Sequence, residues 1–162
     1  MSTTDTIRKT VRLDAPLARV WDAISDSRQF GAWFGAEFDG PFTAGTTLTA
    51  RIRPTTVDPE VARLQEPHAG YAFEVHVTQV EPPHRLAFRW HPHGTGGPEH
   101  PDDPTTLVEF VLEADGDATH ITITESGFDR IALERRAQAF TANDGGWTHQ
   151  LRLVALYVAS TR

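Results

Sequence analysis

The stretch Gly145-Gly-Trp-Thr-His-Gln-Leu-Arg-Leu-Val-Ala-Leu-Tyr157 closes a chain whose middle alternates apolar and polar residues with a period of two. Trp147, Leu151, Val154 and Val158 recur at steps of four, three and four, the spacing of one helix face, while Leu153 and Leu156 fall off that stripe. A helix with one apolar face, following a strand-rich middle, needs a concave surface to receive it. A sheet wrapped around a long terminal helix meets that need.

The alternation supports such a sheet. Ile7, Val11 and Leu13 alternate with Arg8, Thr10 and Arg12, which predicts a strand over 6–13 with Lys9 out of character on its apolar side. Pro16 then suits the first turn of a helix over about 16–24 with Val20, Trp21 and Ile24 on one face. Asp26 or Ser27 can cap a second short helix carrying Phe30, Trp33 and Phe34, and Gly35 can end it. After a weak segment at 36–42, Leu48, Ala50 and Ile52 share one face of a strand. So do Tyr71, Phe73, Val75 and Val77, then Leu86, Phe88 and Trp90, then Val108, Phe110 and Leu112, then Ile121 and Ile123. Asp115-Gly116 marks a tight hairpin turn between the last two. The fold class this implies is α+β, an antiparallel sheet of six to seven strands with two short helices after the first strand. Residues 54–69 and 92–104, rich in proline, glycine and charge, read as loops, with a helical turn open to Val61, Ala62 and Leu64.

A length of 162 residues suits one domain over 1–162. A net charge of −7 without a cluster of Lys or Arg argues against nucleic acid as a partner. No apolar run is long enough for a membrane span, and the first residues lack the apolar core of a secretory signal; with no cysteine, these point to the cytoplasm.

The order of elements, together with Ala15–Pro16, Val20–Trp21, Trp33–Phe34, Val80-Glu-Pro-Pro-His-Arg-Leu86, Thr122-Ile-Thr-Glu-Ser-Gly-Phe128 and Gly146–Trp147 with Leu151, resembles the START-like, or SRPBCC, helix-grip superfamily. Within it the chain is most similar to the family resembling the activator of Hsp90 ATPase. The resemblance implies a cavity between a curved sheet and the terminal helix, which members use for lipids, hormones, polyketides or other apolar molecules. Some members are enzymes. A chaperone activity does not transfer with the resemblance, because fold alone does not fix function.

The residues expected to line that cavity are Trp33, Phe34, Tyr71, Phe73, Val75, Phe88, Trp90, Phe110, Ile123, Glu125, Trp147 and Leu151. Glu125 is the sharpest of them, since continuing the phase of Ile121 and Ile123 turns its carboxylate inward, where an ionised group is costly unless it is paired. There it could orient a ligand or move a proton, and it is the one candidate for catalysis. The alternative is a carboxylate at a strand end that reaches solvent or pairs with an arginine. His91, His93, Glu99, His100, Asp102 and Asp103 hold metal-binding chemistry, but no regular element fixes their spacing, so neither a metal nor another cofactor is expected. Glu125-Ser126-Gly127 lacks a nucleophile elbow, and Gly94-Thr-Gly-Gly97 lacks the Lys-Ser or Lys-Thr of a phosphate cradle. These readings favour non-catalytic binding of a small apolar ligand, or of a chaperone client, over an enzyme of the cyclase or dehydratase kind or a protein interaction module. Exposed sheet edges would permit a homodimer.

Overall fold

The computed structural model describes residues 5–92 and 102–160. The first strand, β1 (Thr6–Leu13), leads into two short helices, α1 (Leu17–Ser25) and α2 (Ser27–Phe34). The Asp26 carboxylate accepts a hydrogen bond from the Arg28 backbone N–H at 3.0 Å and so caps α2. Gly35, at φ 96°, ends α2 in the left-handed conformation that residues with a Cβ avoid. The strands β2 (Ala36–Phe38) and β3 (Thr47–Ile52) follow, then a helix α3 (Pro59–Gln65) inside the first of the two expected loops. The strands β4 (Ala72–Glu81), β5 (Arg85–Trp90), β6 (Thr106–Asp115) and β7 (Ala118–Ser126) complete the sheet, and α4 (Leu133–Ser160) crosses it.

All seven strands form one antiparallel sheet in the order β1-β7-β6-β5-β4-β3-β2. Six of the seven are sequential neighbours, and β1 closes the far side against β7, pairing Ile7 with Glu125 and Lys9 with Ile123. The expected alternation sets the buried face: Leu48, Ala50, Val75, Val77, Leu86, Phe88, Val108, Phe110, Ile121 and Ile123 are all buried. A register shift between Val77 and Gln79 interrupts β4. Beyond it the pairing resumes with Gln79 against Ala87 and Val80 against Leu86.

α4 begins at Leu133, fourteen residues before the expected stripe opens at Trp147, and runs through Gly145 and Gly146. Trp147, Leu151, Val154 and Val158 are buried as the stripe requires, and so is Leu153, while Leu156 stays partly in solvent. Leu153 is buried because the helix packs on two sides, against the sheet through β1 and against α1 and α2. Lys9 finds its use here as well: from the inner side of β1 its ammonium reaches the Asp144 carboxylate of α4 at 3.2 Å.

Tyr71 corrects the expected lining. It precedes β4, its N–H is taken by the His68 carbonyl in a turn, and it is 59% exposed. The alternation there continues one residue past the end of the layer that α4 and α2 cover. The residues between 54 and 69 are also more regular than a loop, because Asp58 caps α3 through the N–H groups of Glu60 and Val61 and Pro59 occupies its first turn. No described helix is long and apolar enough to cross a membrane.

Candidate functional site: a carboxylate shared by sheet and helix

Glu125 lies near the end of β7, in the same inward phase as Ile121 and Ile123, and is fully buried. It reaches neither solvent nor an arginine. Its Oε2 accepts hydrogen bonds from Trp90 Nε1 at 2.8 Å and Thr106 Oγ1 at 2.5 Å, both from the sheet. Its Oε1 accepts from Trp147 Nε1 at 2.8 Å and Asn143 Nδ2 at 2.9 Å, both from α4, and the Asn143 amide also lies 3.1 Å from Oε2. A carboxylate without its proton can only accept, and an indole N–H can only donate, so the set is matched in sense. One oxygen therefore holds the sheet and the other holds the helix.

Sequence and local structure place each of these groups. Trp90 ends β5 in phase with Leu86 and Phe88; Thr106 opens β6 in phase with Val108 and Phe110; Asn143 stands one helical turn before Trp147. Thr106 and Asn143 were outside the sequence-based list. The same period-two and four-residue spacings that reach Phe110 and Trp147 also reach them, but both are polar and an apolar stripe does not mark them.

Rings surround the carboxylate. Trp90 and Trp147 stack with centroids 5.7 Å apart and an interplanar angle of 26°. Phe34 meets both of them, at 6.0 and 6.1 Å, and Phe110 meets Trp147 at 5.7 Å. Phe88 and Phe73 touch Trp90 at 5.3 and 6.2 Å. These spacings are those of packed aromatic pairs. Of the expected lining, Phe34, Phe73, Phe88, Trp90, Phe110, Glu125 and Trp147 thus form one contact network, and Val75, Ile123 and Leu151 are buried in the same core. Trp33 stands apart in role: its indole N–H donates to the Ala23 carbonyl at 2.9 Å and fastens α2 to α1.

Two concavities open elsewhere on the described residues. One, of about 500 Å³, lies outside α2 and β2 between Arg28, Gly31, Glu37, Phe38 and Arg53. The other, of about 390 Å³, lies among Asp5, Arg89, Leu107, Gly127 and Arg130. Of the possible metal ligands, His91 is engaged with the Asp103 carbonyl at 2.8 Å, and Asp103 is bound by Arg135. His93, Glu99 and His100, with Gly94 to Gly97, fall outside the described residues. Among the described residues no three His, Asp or Glu side chains converge as a metal site.

Solved structures share this architecture. DynU16, a protein of the dynemicin biosynthetic locus, is 28% identical with a TM-score of 0.68; the match covers 96% of this chain and 48% of that one, so this chain spans about half its length. Protein BH1534 of Bacillus halodurans is 25% identical over 94% of this chain and 96% of its own, with a TM-score of 0.66. CalU16 of Micromonospora echinospora, 20% identical with a TM-score of 0.64, shows the same fold over 96% of this chain and 76% of its own. No curated protein matches the sequence significantly. The START-like helix-grip assignment is thus established, and since residues 14–159, from α1 through α4, match the family described as Activator of Hsp90 ATPase homolog 1-like protein, the chain belongs to that family.

Proposed function

We propose that this protein binds a small apolar molecule between the curved sheet and α4, without a covalent step, and that the guest enters by displacing α4 from Glu125. The carrying observation is the division of labour at the carboxylate: Oε2 is held by Trp90 and Thr106 of the sheet, Oε1 by Asn143 and Trp147 of the helix. Burying an ionised group is costly, and a well-packed apolar side chain would secure the same core at least as well. What a carboxylate adds is an acceptor that becomes free when the helix moves. A guest with an apolar body and one hydrogen-bond donor can then satisfy Oε1 while its body lies against Phe34, Phe88, Trp90 and Phe110. The chain also carries a weak point where that motion is needed, since Gly145 and Gly146, poor helix formers, lie within α4 between Asn143 and Trp147.

Equilibrium dialysis against 2-naphthol, an apolar bicycle with one hydroxyl donor, tests the reading. Saturable one-to-one binding that weakens about tenfold in Glu125→Gln, whose amide no longer offers a charged acceptor, is the expected result. Absence of saturable binding, or binding indifferent to Glu125→Gln, would overturn it.

A second reading is proton transfer by Glu125 on the bound guest, as in a cyclase or dehydratase, and the likeness to DynU16, from a biosynthetic locus, favours it. It needs a second polar group at the reacting atom, and Thr106 and Asn143 are the neighbours able to serve. Conversion of a co-purified guest by the unaltered protein and not by Glu125→Gln would establish it. The chaperone link that the family's name suggests rests on that name alone; titration into an Hsp90-type ATPase, expected to leave turnover unchanged, tests it.

A further inference from the structure

Gln150 holds an acceptor with nothing to accept. It lies on α4 three residues after Trp147, and its Nε2 donates to the Phe34 carbonyl at 3.1 Å, which fixes the orientation of the amide because a carbonyl can only accept. The other end, Oε1, is buried and makes no hydrogen bond with any of the described residues. Buried polar atoms are nearly always paired, and one left alone forfeits roughly the free energy of a hydrogen bond. The neighbouring Gln65 and Glu125 oxygens are in use. Gln65 of α3 donates to the same Phe34 carbonyl at 3.1 Å and accepts from the Thr55 N–H at 2.8 Å, and Glu125 is filled as described.

The position of this oxygen matters as much as its lack of a partner. Phe34, whose carbonyl anchors Gln150, is the ring that touches both Trp90 and Trp147, and Trp147 in turn donates to Glu125. Gln150, through the Phe34 backbone, and Glu125, through Trp90 and Trp147, therefore border the same group of rings. Beside Gln150 lies α3, none of whose residues is fully buried, held by Gln65 on the same Phe34 carbonyl, by Val61 against the core and by the ion pair of its cap Asp58 with Arg152 of α4. An element that buries none of its residues is the one most easily lifted.

Resting on the reading above, we infer that Gln150 Oε1 is a second acceptor for the guest, so that the preferred ligand is an apolar molecule with two separated hydrogen-bond donors, one for Glu125 and one for Gln150, with α3 lifting as α4 is displaced. Removing the Gln150 amide leaves Phe34 with the Gln65 donor, so the core does not depend on it.

The test compares 2,7-dihydroxynaphthalene with 7-methoxy-2-naphthol by equilibrium dialysis, in the unaltered chain and in Gln150→Leu and Gln150→Met. The unaltered chain should prefer the diol by about tenfold, both variants should lose that preference while still binding the monomethyl ether, and Glu125→Gln should keep it. Equal affinity for the two compounds in the unaltered chain, as expected if Gln150 is merely hydrated, overturns this inference alone, as does a preference that survives in both variants. Binding of neither compound overturns the parent reading and this one together.

Discussion

Glu125 is held by four neutral donors, and each would be left facing an apolar interior if the carboxylate were removed. Glu125→Leu is therefore expected to cost about 3 to 5 kcal/mol of unfolding free energy in urea titration, the scale of breaking a buried network from one side. Glu125→Gln keeps the shape but turns an NH₂ toward donors, and should cost about 2 kcal/mol. A change below about 0.5 kcal/mol for Glu125→Leu would show that the network carries no load. Asp58 is a different kind of residue, a cap at the surface whose carboxyl is held below its ordinary value of 3.8, first by the hydrogen bond from Arg152 and then by the Val61 N–H. The unfolded carboxyl takes up its proton at higher pH than the folded one. The docking of α3 is thus fully supported above about pH 4 and lost as pH falls through the folded value. Protection of the α3 amides, measured against their intrinsic exchange rates, should fall below pH 4, and Asp58→Asn should show that lower protection already at pH 6. Identical exchange in Asp58→Asn and the unaltered chain at pH 6 would contradict this.

At the scale of elements, α4 and the α2–β2 corner make opposite demands on glycine. A Cβ added at Gly145 or Gly146 would meet no atom within 4 Å, so neither glycine is required by packing, and each weakens a helix interior by about 1 kcal/mol relative to alanine. Gly145→Ala and Gly146→Ala should each raise stability by about that much while slowing guest uptake; destabilisation by either would remove the hinge from the account. A Cβ at Gly31 would stand 2.1 Å from the Ala36 carbonyl oxygen, so Gly31→Ala should lose about 3 kcal/mol by urea titration, through forced separation of α2 from β2. The elements themselves were legible to different degrees for the same reason. Strands with one face buried, such as Leu86-Phe88-Trp90, advertise themselves by alternation, and Asp26 and Gly35 mark the ends of α2 chemically. The first half of α4 has few apolar residues and two glycines ahead of Trp147, so periodicity understates it. α3 buries none of its residues, so only the turn offered by Val61, Ala62 and Leu64 hints at it in the sequence.

At the scale of the whole molecule, the grip was readable because Glu125 and the aromatic residues share the inward phase of their strands, and what escaped was the polar half of the site. Thr106, Asn143 and Gln150 act through hydrogen bonds formed between segments far apart in the chain, and no local pattern marks those. Tyr71 misled because a period continues in sequence after the covering layer has ended in space. The picture is an aromatic interior closed by a helix that one buried carboxylate fastens, and that, on the function proposed above, it releases to admit a guest. Its most direct test follows the indole N–H resonances of Trp90 and Trp147 by ¹⁵N–¹H NMR during titration with 2-naphthol. The expected result is that the Trp147 resonance moves far, as its hydrogen bond to Oε1 is exchanged for the guest's, while Trp90, bonded to Oε2 on the sheet side, moves little. If both stay in place at saturation, with the shifts gathered instead around Arg28 and Arg53 outside α2, the guest does not enter between sheet and helix and the account is wrong.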